Sequence, residues 1–294
     1  MLDYKQLEAL ATVVEEGGFD KAAGRLHITQ SAVSQRIRAL EDTVGQALLI
    51  RSTPVRPTPA GQRLLTHFRK VYHLESDLLA DLLPSSDSVP MIALGINEDS
   101  LATWFLPALH PFLQANNVLL DLYTDDQEQT HDLLRAGKVA GCVSTRPDPI
   151  QGCSCFRLGR MEYQCLATPE FARRWFPHGV TAEGIRQAPA VTFNRKDMLH
   201  CRFAQAWNVM PGEFPTHYVP STEKFVELIS ASLAYGMVPH PQGLPLTTRG
   251  ELLPLAPQSH ISITLYWHQW SLGTTLIRDL AGALKQGCRD MLLQ

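Results

Sequence analysis

The chain has 294 residues, 45% of them apolar, and a formal charge of −3. That length exceeds one typical domain and that apolar content supports sizeable cores. No run reaches the roughly eighteen apolar residues of a membrane helix, and no basic segment leads into an apolar one after Met1, so no membrane partner and a cytoplasmic location are expected.

The first three predicted elements are helices. Tyr4, Leu7, Leu10, Ala11 and Val14 form one apolar face, closed by Gly17-Gly18. Phe19, Ala22, Ala23 and Leu26 form a second, short helix whose small residues permit a close crossing. Thr29 to Ser31 supply capping residues for a third helix, in which Val33, Ile37, Leu40 and Val44 recur at helical spacing. Its opposite face carries Ser31, Gln35 and Arg38 at i, i+4, i+7, with Gln30, Ser34 and Arg36 beside them. A helix entering the major groove needs such side chains to reach base edges, so this is the expected recognition helix of a helix-turn-helix. After Gly45, the segment through Leu48–Arg51, Pro54, Arg56 and Pro57 reads as a wing, with Arg51 and Arg56 placed for phosphate contacts. Residues 21–70 hold nine Lys and Arg against Glu41 and Asp42, a local +7 in an acidic chain. Such a patch is the electrostatic footprint of double-stranded DNA.

Thr58 and Pro59 open a helix expected to run to Leu83. Its positions 64, 68, 71, 75, 78 and 82 step by four and three, which predicts a self-association seam interrupted at Glu75. Pro84–Ser88 is a polar hinge without periodicity. Strands at 91–96, 118–123 and 139–144 alternate with helices at 100–115 and 127–135, an order that implies a parallel sheet. A second set follows, with strands at 190–193, 218–219, 234–239 and 261–267 and helices at 199–207, 221–230 and 274–293. Ligands of open α/β sheets bind beyond the carboxyl ends of the strands. That rule nominates Ser100, Thr103, Asp125, Ser144, Asn194 and His240, with Glu98, Asp99 and Asp126 as further carboxylates at the cleft edge. Ser100 is expected to start a helix whose outward N–H groups, with those of Leu101 and Ala102, suit an anion.

Of the six cysteines only Cys153 and Cys155 lie close together, and no second pair stands at zinc spacing. All six are expected as free thiols, and no metal or other cofactor is expected. No nucleophile elbow, HExxH, phosphate loop or dinucleotide fingerprint occurs, so no enzyme is expected.

Ala22-Ala23, Leu26, Thr29–Ser34, Leu40-Glu41, Gly45, Leu48, Arg51 and Pro57–Gly61 together resemble the DNA-binding signature of LysR-type transcriptional regulators. Asn97–Trp104, Trp175–Thr181 and Leu265–His268 resemble the branch of that family that responds to basic amino acids. Ile50 stands where the family usually has Phe, an exchange expected to be between buried apolar residues. The resemblance implies an all-α winged helix-turn-helix at 1–57, a linker helix for dimerisation at 58–83, and a hinge at 84–89. It implies a two-lobed α/β effector domain like periplasmic solute-binding proteins at 90–294, with lobe I at 90–164 and 268–294 and lobe II at 165–267. It also implies L-lysine or L-arginine as effector, control of amino-acid transport or metabolism genes, a dimer or tetramer, and RNA polymerase as a further partner. A different small carboxylate effector, or an architectural or replication-origin DNA-binding role, are the alternatives.

Overall fold

The computed structural model describes residues 2–82, 89–124, 129–271 and 273–294. Leu83 at the end of the expected linker helix, hinge residues 84–88 and the candidates Asp125 and Asp126 therefore lie outside the described residues.

The N-terminal unit is α1 (Tyr4–Glu16), α2 (Phe19–Arg25) and α3 (Gln30–Val44), then a two-stranded wing of β1 (Leu49–Ile50) and β2 (Arg56–Pro57). Gly17 and Gly45 end α1 and α3, and the Thr29 hydroxyl caps α3 by accepting the Ala32 N–H. Leu7, Leu10, Val33, Ile37, Leu40 and Leu48 make one core, and Leu65 of α4 (Pro59–Leu82) closes it. Ile50 corrects the expectation of burial. In β1 it is Leu49 that turns inward, and Ile50 is 51% exposed. The long helix also differs from the predicted seam, because Leu64 and Phe68 pack against the core of their own domain.

The remainder is an α/β unit. It opens with β3 (Met91–Ile96) and α5 (Glu98–Ser100), which continues through a π-helical stretch at Leu101–Phe105 into α6 (Leu106–Ala115). Then come β4 (Leu119–Thr124), α7 (Gln129–Arg135), β5 (Gly141–Ser144) and the 15-residue β6 (Cys153–Ala167). The second set is α8 (Pro169–Trp175), α9 (Ala182–Gln187), β7 (Ala190–Thr192), α10 (Leu199–Gln205), β8 (Thr216–Tyr218), α11 (Thr222–Ser230), β9 (Tyr235–Pro239), α12 (His240–Thr248) and β10 (Leu253–Pro254). The long strand β11 (His260–Trp270) and α13 (Thr275–Gly287) complete the chain, with a 3₁₀ turn at Cys288–Asp290.

Among the described residues the strands form one sheet in the order β4-β3-β5-β11-β6-β9-β7-β8, with β10 against β6. Each outer half is parallel, as the alternating pattern implied, but β6 and β11 run antiparallel to each other and to their neighbours, so the whole is mixed. These two strands join the lobes. β11 leaves β5 at Tyr266, and β6 takes up β9 at Tyr163, so lobe II pairing begins before residue 165. At that crossing the ladder slips between Leu265 and Tyr266, opposite Gly159. Gly159 has φ +154°, and a Cβ there would stand 2.7 Å from Leu292 and 2.9 Å from the Leu293 carbonyl. Only glycine fits such a bulge.

The two units touch. Arg69 of α4 donates to the Ala136 carbonyl at 3.2 Å and pairs with Glu15, while Lys70 lies 3.7 Å above the Trp270 ring.

Candidate DNA-binding and effector sites

On α3, Gln30, Ser31, Gln35 and Arg38 are exposed, and Ser34 and Arg36 are half-buried. The stripe Ser31–Gln35–Arg38 thus faces solvent while Val33, Ile37 and Leu40 face the core. The wing is pinned to this helix by Glu41, whose Oε1 accepts the Leu48 N–H at 2.8 Å. Thr58 fixes its far side by donating its hydroxyl to the Ala47 carbonyl and its N–H to the Leu48 carbonyl. Arg51 and Arg56 are exposed on this frame. The basic patch is narrower than the sequence count. Arg25 pairs with Glu15 and Glu16 of α1, Arg69 with Glu15, and Lys70 covers Trp270, so these three cations already have partners within the chain.

The second site is a cleft of about 780 Å³ between the lobes. Asn97, Glu98 and Asp99 line it from lobe I, Asn194, Lys196, Asp197 and Arg202 from lobe II, and Ser262–Thr264 with Tyr266 from β11. The Asp99 carboxylate accepts Tyr163 Oη at 2.8 Å on one oxygen and Thr222 Oγ1 at 3.1 Å on the other. Burial drives its pKa up to about 6, opposed by those two hydrogen bonds and reinforced by the like charges of Asp197 and Glu98. Asn97 is buried, and its Oδ1 has no hydrogen-bond partner among the described residues. On the facing wall Asn194 Oδ1 accepts the N–H groups of Lys196 and Asp197, and Asp197 accepts those of Phe193 and Leu199. These bonds shape the loop ahead of α10.

Of the predicted effector residues, Asn194 lines the cleft, and Ser100, Thr103, Ser144 and His240 do not. The helix starts at Glu98 with Asn97 in the cap position, two residues before expectation, because the chain turns as soon as β3 ends. Leu101 N–H is consequently spent on the Asn97 carbonyl, and Ser100 is buried without a hydrogen-bond partner for its hydroxyl among the described residues. Thr103 donates to the Asp99 carbonyl inside the helix. Ser144 is buried and accepts the Arg146 N–H, leaving its neighbour Thr145 on the cleft. His240 starts α12 with its side chain in solvent. Lys196, Asp197 and Arg202 were missed. Their signal was the Asn194-x-x-Asp197 spacing, which folds a short loop back on its own backbone before a helix.

The six cysteines are all free, burial raises their pKa, and no group of three metal-ligating side chains occurs among the described residues. No helix among them is long and apolar enough to cross a membrane.

An exposed recognition stripe with a wing, joined to two lobes around a polar cleft, defines a ligand-responsive DNA-binding regulator. Two family models cover almost the whole chain, a bacterial regulatory helix-turn-helix protein of the lysR family at residues 4–62 and a LysR substrate binding domain at 87–289. The chain belongs to the LysR family of helix-turn-helix transcriptional regulators. It is 43% identical to the HTH-type transcriptional regulator ArgP of Aeromonas salmonicida over 96% of this chain and 95% of that one. Its fold is similar to the crystal structure of ArgP from Mycobacterium tuberculosis, with TM-score 0.89, 37% identity, and 100% and 99% of the two chains covered. It is also similar to full-length LysG from Corynebacterium glutamicum with bound effector Arg, with TM-score 0.83, 31% identity and full coverage of both chains.

Proposed function

We propose that this protein senses a basic amino acid, L-arginine or L-lysine, in the cleft between its lobes and so controls genes of amino-acid transport or metabolism. The observation that carries this reading is the charge arrangement of the cleft. Glu98, Asp99 and Asp197 provide anions and Lys196 and Arg202 provide cations, which suits a ligand bearing both signs. The LysG structure with bound Arg supports it, being similar to this chain from end to end. In this reading the cleft binds and does not catalyse. Gln30, Ser31, Ser34, Gln35, Arg36 and Arg38 read the operator, and Arg51 and Arg56 hold phosphates.

Melting curves of the full chain test it. Arginine or lysine at 100 times its Kd will add roughly 2.7 kcal/mol of stability. Stabilisation by L-glutamate or benzoate alone would assign a different carboxylate effector, and no stabilisation by any of the four would favour the architectural role.

The reading includes a dimer through α4. Tyr72 and Leu74, 58% and 41% exposed, lie beyond the part of α4 that the N-terminal core covers. Tyr72→Asp with Leu74→Asp will lower the mass seen by light scattering, since charge in a buried apolar contact is costly. An unchanged mass would remove α4 as the contact.

A further inference from the structure

We infer that Asp99 is the specificity-determining residue of the cleft, its carboxylate meeting the side-chain cation of the effector and rejecting neutral analogues. The inference rests on the amino-acid reading of the cleft given above. Both Asp99 oxygens are already fixed, one by Tyr163 of β6 and one by Thr222 at the start of α11. A carboxylate oxygen carries two acceptor positions, so each retains one for a ligand. Both existing donors are neutral hydroxyls, and no Lys or Arg forms a salt bridge with Asp99 among the described residues. An enclosed carboxylate without a cation is costly, and a guanidinium or ammonium entering the cleft supplies the missing charge. Asn97 gives a second, independent pointer. Asn97 lines the same cavity, its buried Oδ1 lacks a donor among the described residues, and a guanidinium has donors to spare after engaging one carboxylate. The α-carboxylate end then faces the wall that holds Lys196 and Arg202. Asp99 belongs to the lobe I helix and Thr222 to lobe II, so the residue that reads charge also ties the lobes together.

The test is titration calorimetry of the full chain with L-arginine and with L-citrulline, its neutral near-isostere. Wild type will prefer arginine by about 10- to 100-fold, the worth of one charge-assisted hydrogen-bond pair. Asp99→Asn will bring arginine down to the citrulline level and leave citrulline nearly unchanged. Tyr163→Phe, which keeps the charge, will retain the preference. The pH profile supplies a readout that a structural role would not move. Tyr163 and Thr222 favour the Asp99 anion, and Asp197 ahead of α10 and Glu98 on its own helix disfavour it. Below about 6 the carboxyl takes up a proton and the arginine affinity falls by up to tenfold per pH unit, while citrulline binding stays flat.

An Asp99→Asn variant that folds and keeps the wild-type arginine-to-citrulline ratio overturns the inference. So does equal weakening of both ligands, which would place Asp99 at the shared α-ammonium. If the variant melts early, wild type decides, and equal affinity for arginine and citrulline at neutral pH overturns it. Wild type that binds neither arginine nor lysine removes the amino-acid reading itself, and this inference with it.

Discussion

Gly61→Ala will sharply weaken specific DNA binding and leave ligand stabilisation of the effector domain intact. The reason is the seat of α4 against the wing. The Leu48 carbonyl, already accepting the Thr58 N–H, lies so close to Gly61 that an added Cβ would stand 2.1 Å from it. That atom is backbone and is held by Glu41 on one side and Thr58 on the other, so no side chain can swing away. Overpacking of this kind costs about 1–3 kcal/mol and sometimes more, against a domain stability of about 5–15 kcal/mol. The strain also falls where Leu65 of α4 closes the N-terminal core, so the angle between wing and recognition helix shifts with it. Fluorescence anisotropy on operator DNA and a melting curve check both halves. Wild-type DNA affinity in the variant would show that the wing yields freely.

Arg38→Ala is expected to have the next largest effect, with Gln35→Ala close behind. Both side chains leave the exposed face of α3, one turn apart, and neither has a competing ion pair among the described residues. A lost bidentate base contact costs about 1–3 kcal/mol of discrimination, or roughly 5- to 150-fold between operator and unrelated sequence. Arg51→Ala in the wing will behave differently. It will weaken binding to all sequences alike and reduce the salt slope by about one. Competition titrations against nonspecific DNA separate the two patterns. Unchanged operator affinity in both helix variants would move the reading face elsewhere on the domain.

The N-terminal domain was legible because its signals are local. A helical apolar period, Thr29 and Thr58 as caps, and Gly17 and Gly45 as stops each act within a few residues. The effector domain was legible only in outline. The strand β6 alternates charged and apolar residues through Arg157, Arg160 and Glu162, and its partner β11 lies about a hundred residues away. The pattern of β11 was readable as a strand, but pairing at that distance leaves no mark of which segment is its partner. Helix α12 hides behind Pro241 and Pro245, which is why His240 read as a strand end facing the cleft. At the cleft itself, strand ends gave the neighbourhood but not the facing side. One residue of offset puts Thr145 on the cavity in place of Ser144, and the early start of α5 turns Ser100 inward while Glu98 and Asp99, the carboxylates expected at the cleft edge, line it.

The strand β11 has a mechanical meaning. Ser262–Thr264 form part of the cleft floor, and Trp270 at its far end carries the Lys70 ammonium of the linker helix. Six steps of extended chain separate Thr264 from Trp270, about 20 Å. Hydrogen-bonded to β6 along its length and to β5 at its far half, β11 is a braced, continuous connection from the cleft to the surface that meets the linker helix. Its ladder slips at Leu265 and Tyr266, and its far end meets the linker helix through a lysine over an aromatic face, a contact less directional than a hydrogen bond. The cleft and the linker helix of this protein are thus joined by one continuous strand, whose far end meets Lys70 beside the Arg69 contact to Ala136.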